Sequence, residues 1–152
     1  MIESDPAVLE ITVHDEPPDD DALVVDAGLG ASNEAAAPLH EVRPLGCFAR
    51  AADGSVVGGA IGRTWGRCCE LQQLWVDPTG RRRGLGARLV RAFEKHAEAR
   101  GCDTFYLETF SFQAPRLYAA LGYEVAHELQ GYGPGISKFL MVRRSTAPLL
   151  QP

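Results

Sequence analysis

The chain has 152 residues, 45% of them apolar and 23% charged, a composition that supports one folded domain and excludes a fibrous or disordered chain. Its net charge of −5, with no basic and aromatic surface pattern, excludes a nucleic-acid partner. No apolar run approaches the ~20 residues of a membrane span, and the start Met1-Ile2-Glu3-Ser4-Asp5-Pro6 is acidic rather than basic then apolar, so a cytoplasmic protein without a membrane partner is the expectation.

The charge is unevenly placed. Residues 1–45 carry eleven acids against one base, Arg43, and residues 46–152 carry nine acids against fourteen bases. The basic part suits an anionic ligand and the acidic part a cationic one. Cys47, Cys68, Cys69 and Cys102 form no C-x-x-C pair and no set with histidine at ligand spacing, so reduced thiols and no metal are expected.

In chain order, Val8 to Val13 alternates like an edge strand and Pro17-Pro18 ends it. Asp19-Asp20-Asp21 offers a negative first turn to a helix from near Ala22, which Gly28 and Gly30 should shorten or break. Ala31 to Ala37 reads as a second helical piece, stopped by Pro38. Leu45–Ala51, Val56–Thr64 and Cys69–Val76 read as three strands of an antiparallel meander, the first two joined through Asp53-Gly54. Gly84–Arg100 has the periodicity of an amphipathic helix, with Leu85, Leu89, Ala92, Phe93, His96 and Ala97 on its apolar face. A strand at Thr104–Thr109 completes a βαβ unit, so it should lie parallel to the third strand. A helix over Gln113–Leu121 follows, then strands at Tyr123–Leu129 and Ser137–Val142, and a loose tail from Ser145.

The segment from Leu74 to Gly86 carries the most chemistry. A strand delivers the chain to the turn Arg81-Arg82-Arg83-Gly84-Leu85-Gly86, where glycines permit close backbone approach and a helix begins. The first N–H groups of that helix lack partners within it, and its dipole adds positive charge to that of the arginines. This is an anion site of pyrophosphate type. G-K-S/T of the Walker loop is absent, and Leu89 stands where the dinucleotide fingerprint needs its third glycine.

The stretch resembles the GNAT superfamily of N-acetyltransferases, whose signature Q/R-x-x-G-x-G/A is met by Arg81, Gly84 and Gly86. A later family motif, N-x-x-A-x-x-L-Y-x-x-x-G-F/Y, is matched by Ala114, Leu117, Tyr118, Gly122 and Tyr123, with Ser111 in place of the asparagine. Ser111-Phe112-Gln113-Ala114-Pro115 is similar to a bacterial subgroup of that superfamily. The resemblance covers residues 45–143.

It implies a single α/β domain with a mixed, mostly antiparallel sheet, a parallel splayed strand pair and flanking helices. Residues 1–44 would lie on the acceptor side, residues 45–143 would form the acetyl-coenzyme A core, and residues 144–152 would be a tail. The implied activity is acetyl transfer from acetyl-coenzyme A directly to a primary amine of a small molecule or protein, without metal. The rival is a non-catalytic acyl-coenzyme A sensor of the same fold. By the same resemblance, the turn Arg81, Arg82, Arg83, Gly84, Leu85 and Gly86 binds the pyrophosphate. Leu74, Trp75 and Val76 pair with the pantetheine arm, and Ser111 and Ala114 lie near the cofactor. Tyr118 matches the family's acid. Glu70 leads as base, because it lies six residues before Val76, where some relatives carry their catalytic glutamate, and because strand alternation puts Glu70, Gln72 and Leu74 on one side; Glu108 or water are the alternatives. A homodimer is a family expectation that no pattern in the sequence addresses.

Overall fold

A computed structural model describes residues 9–81 and 83–145. The chain divides into two units at Leu39/His40. In the first, residues 9–13 are not a strand, and Leu9, Ile11 and Val13 are exposed. This corrects the expectation for Val8–Val13, of which Val8 lies outside the described residues. Alternation alone is a weak strand determinant where no neighbouring strand offers a ladder. Helix α1 (Asp19–Ala36) begins after Pro18 and runs unbroken through Gly28 and Gly30. Each glycine costs a helix about 1 kcal/mol relative to alanine, which weakens it without interrupting it.

The second unit holds a six-stranded mixed sheet. Its strands are β1 (Arg43–Arg50), β2 (Val56–Trp65), β3 (Cys68–Val76), β4 (Thr104–Phe110), β5 (Glu124–Leu129) and β6 (Lys138–Arg144), in the order β1-β2-β3-β4-β6-β5. Among the described residues only β3 and β4 pair in parallel. Helix α2 (Leu85–Ala99) connects them, and α3 (Pro115–Ala120) follows β4. The meander, the βαβ unit and the α/β class thus stand as the sequence reads.

The core lies between α2 and one face of the sheet. Leu89, Val90, Phe93 and Ala97 of α2 meet Ala60, Cys69, Leu71, Phe105, Leu107 and Met141. The buried helix face is rotated from the expected one: Ala92 and His96 are exposed, and Glu94 is buried. Glu94 is 2% exposed and takes hydrogen bonds from Arg91 Nη1 at 3.0 Å, Arg143 Nε at 2.6 Å and the Tyr123 hydroxyl at 3.4 Å. Arg143 also lies 4.4 Å from the centre of the Phe105 ring. A buried carboxylate is tolerated when its lone pairs are filled in this way. The periodicity of the helix could not show it, because two of the three partners, Arg143 and Tyr123, come from β6 and the residue before β5.

Two details shape the site. The register of β2 against β3 runs Ile61↔Gln73 and then Gly62↔Leu71, which leaves Gln72 as a bulge without a partner. The β3–β4 pairing covers only Cys68↔Thr104 to Leu71↔Leu107. Past that point β3 stays with β2 and β4 stays with β6. A bulge bends a strand and increases its twist, and this one sits where β3 leaves β4. Gly62 permits it: a Cβ there would lie 1.9 Å from the Glu70 carbonyl oxygen and 2.9 Å from Phe93 Cζ.

Two stability effects are expected. Glu94→Ala leaves Arg143 without its buried partner and should lower unfolding free energy by about 3–5 kcal/mol in urea titrations. Gly62→Ala should be destabilising by at least about 1–3 kcal/mol, since rigid backbone must move to admit the methyl group.

Candidate functional site

The divergence of β3 from β4 opens a cleft of about 720 Å³. One wall is β3 from Leu71 to Val76, and the other is Glu108 and Thr109 of β4 with Phe112 to Ala114, Leu117 and Tyr118. Gly80, Arg81 and the start of α2, Gly84 to Ala87, close one end. From Gln72 to Val76 the edge of β3 facing β4 has no strand partner. Backbone N–H and C=O groups on such an edge need partners from water or from an extended ligand.

The closed end is electropositive for local reasons. Asp77 accepts hydrogen bonds from the Thr79 amide at 2.9 Å and hydroxyl at 2.6 Å, which fixes the turn leaving β3 and holds the Asp77 carboxyl below its ordinary range. Arg81 Nε donates to the Val76 carbonyl at 3.0 Å, so this side chain folds back over the end of β3. Gly84 takes the N-cap with φ +74°, a conformation glycine adopts without strain. Among the described residues no side chain caps α2, and its first turn holds no acid. The first intrahelical bond runs from Arg88 N to Gly84 O, so the N–H groups of Leu85, Gly86 and Ala87 have no carbonyl within the helix. Gly86 keeps this end open toward α3, since a Cβ there would lie 3.3 Å from Leu117 Cδ2.

The cleft therefore brings together Leu74, Trp75, Val76, Arg81, Gly84, Leu85, Gly86, Ala114 and Tyr118. Arg82 lies outside the described residues. Arg83 is exposed and does not line the cleft. Ser111 is also elsewhere: its hydroxyl donates to the Gly135 carbonyl at 3.1 Å and accepts the Ser137 amide at 3.1 Å. It ties the β5–β6 loop to the end of β4 and is not among the residues that line the cleft.

Glu70 also departs from its expected place. The bulge at Gln72 shifts the alternation, so Leu74 and Val76 pack on the core face with Cys69 and Leu71, and Glu70 points to the other face. There it binds Arg63 Nε at 2.8 Å across the strands, and it is not a cleft residue. Glu108, just beyond the last paired residue of β4, does line the cleft and binds Lys138 Nζ at 2.8 Å. Sequence reasoning missed Gln72, Gln73, Phe112 and Gln113. Gln113 braces the β4–α3 turn by accepting from the Phe110 amide at 2.8 Å and the Thr109 hydroxyl at 3.2 Å. Only the adjacent polar pair Gln72-Gln73 within β3 hinted at the first two of these.

Tyr118 is 7% exposed, and its ring meets Tyr123 edge-on at 6.0 Å. Burial alone pushes its hydroxyl above the ordinary value of 10.0. The phenol thus keeps its proton at neutral pH. Among the described residues no His, Cys, Asp or Glu cluster could hold a metal, and no helix is long and apolar enough to cross a membrane.

Comparisons with known proteins agree on one family. Residues 8–123 match the model of the Acetyltransferase (GNAT) family. The chain is 38% identical over 110 residues to a blasticidin-S acetyltransferase of Streptomyces morookaense, covering 70% of this chain and 81% of that protein. An acetyltransferase from Bacillus cereus superposes with a TM-score of 0.74 at 22% identity, over 88% of this chain and 97% of its own. The NatC complex bound to Gag peptide and CoA contains a chain that superposes with a TM-score of 0.54 at 21% identity, over 60% of this chain and 62% of its own.

The desolvated phenol can be checked directly. In a titration of ultraviolet phenolate absorbance, the difference between parent and Tyr118→Phe should show a midpoint above 10.0, the ordinary value that burial raises.

Proposed function

Since the chain belongs to the acetyltransferase (GNAT) family, we propose that its cleft binds acetyl-coenzyme A and passes the acetyl group directly to a primary amine. The observation that carries this reading is the meeting of three features in one cleft. These are the unpartnered N–H groups at the start of α2, the unpaired edge of β3 and the buried Tyr118.

Each feature suits a different part of the donor. The first turn of α2, with Arg81 at its rim, takes the pyrophosphate. The β3 edge from Leu74 to Val76 pairs with the amides of the pantetheine arm, as an added strand would. The bound donor supplies an acyl thioester whose carbon–sulfur bond breaks as the carbon–nitrogen bond forms. Tyr118 protonates the departing sulfur, and a thiol of pKa about 8.5 is a conjugate acid that a phenol near 10 or above can supply when transfer and bond cleavage are concerted. The attacking amine must first lose its own proton. Glu108 receives it through water, in preference to Glu70, because Glu108 lines the cleft while Glu70 lies behind the bulge with Arg63. The relative named for blasticidin-S supports a small-molecule acceptor.

A ligand at 100 times its dissociation constant adds about 2.7 kcal/mol of stability. Acetyl-coenzyme A at that excess should raise Tm by roughly 5–10 °C for a chain of this length. In Gly84→Asp most of this rise should vanish, because a carboxylate would cap the free N–H groups and repel the pyrophosphate; an undiminished rise would move the donor elsewhere. With an accepted amine, Tyr118→Phe should lower kcat by about 10²–10³ while acetyl-coenzyme A affinity stays within a few-fold. Unchanged kcat in that variant would remove Tyr118 from the proton step.

A further inference from the structure

Beside the cleft stands a group of rings that the donor does not need. Phe110 at the end of β4 and Phe112 just after it stack with centroids 5.2 Å apart and planes 8° apart. Tyr132, in the β5–β6 loop, meets Phe110 edge-on at 5.2 Å and 88°. The rings are poorly covered: Phe112 is 68% exposed and Tyr132 48%. Phe112 is also a lining residue of the cleft, next to Glu108 and Thr109. Single exposed aromatics are ordinary, but three in contact at the mouth of a cleft are a binding surface in waiting.

The surrounding charges narrow what would cover them. The Glu108 carboxylate is already matched by Lys138 at 2.8 Å, and the same ammonium lies 5.6 Å from the centre of the Phe110 ring. A second cation on the guest would therefore compete with Lys138, while the exposed ring of Phe112 is unmatched. A stacked pair is extended best by another flat ring, in an offset or edge-to-face arrangement. The loop bearing Tyr132 is held for this purpose by Ser111, which bonds Gly135 and Ser137 through its hydroxyl and Ser137 again through its amide, at 2.8 Å.

We propose that Phe110, Phe112 and Tyr132 form the acceptor subsite and select a primary amine borne on a flat, unsaturated ring, with Ser111 as a positioning residue for the Tyr132 loop. This rests on the reading of the cleft as an acetyl-transfer site and names the acceptor class for it.

The test compares benzylamine with cyclohexylmethylamine by calorimetry at pH 7, where both are ammonium ions, using the whole chain with and without saturating coenzyme A. The saturated ring buries more apolar area, so a merely greasy wall favours cyclohexylmethylamine; stacking favours benzylamine, by roughly fivefold in affinity. That preference should fall toward parity in Phe112→Leu and Tyr132→Leu, whose exposed positions make misfolding a small risk, and should shrink in Ser111→Ala. Equal or tighter binding of cyclohexylmethylamine, no binding of either amine, or an undiminished preference in Phe112→Leu overturns the proposal. The donor reading is scored apart from it, by whether coenzyme A alone raises Tm. A benzylamine preference in protein that ignores coenzyme A would uphold the subsite and sink the donor.

Discussion

Beyond Leu71 on β3 and Leu107 on β4 the two backbones stop hydrogen-bonding to each other, yet each keeps its partner on the other side. Parting two parallel strands in the middle of a sheet exposes a row of peptide groups, which is costly unless something else meets them. Everything chemical in this molecule is arranged around that opening. The bulge at Gln72 turns β3 aside, and Gly62 makes room for the bulge. The turn after β3 then starts α2 at the closed end of the cleft, and α3 brings Tyr118 to its other wall.

Electrostatics and packing reinforce one another here. The start of α2 has a positive dipole end, no acid in its first turn and Arg81 at its rim. A helix end of this kind is useful only if the helix cannot rotate or slide. Glu94 supplies that constraint, because its buried carboxylate is held by Arg143 of β6, by Arg91 of its own helix and by Tyr123. Its hydrogen bonds have fixed directions, which apolar contacts lack, so Glu94 sets the register of α2 against the sheet as well as its contact.

The βαβ unit, the meander and the turn into α2 were legible in the sequence because each depends on neighbours in the chain. Hydrophobic alternation marked β1 to β3, and glycines with a strong helical period marked the turn into α2. What could not be read depends on partners far away in sequence. The bulge at Gln72 leaves no local trace, and it alone decides that Glu70 and Leu74 face apart. The hydrogen bond of Ser111 to the Gly135 carbonyl, 24 residues on, has no local sign in the sequence. The helical period did not place Glu94 on the buried face of α2, because its partner Arg143 comes from β6. In the first unit the same rule acted in reverse: local alternation at Leu9 to Val13 promised a strand, and no ladder formed there.

The central claim is that the parted strands and the start of α2 together hold one ligand, acetyl-coenzyme A. Amide hydrogen exchange measured with and without coenzyme A reads this site by site. The account predicts slowed exchange confined to two stretches, Leu74 to Val76 and Leu85 to Ala87, with α1 and β5 unaffected. Protection of the α2 turn without the β3 edge, or of neither, would contradict it.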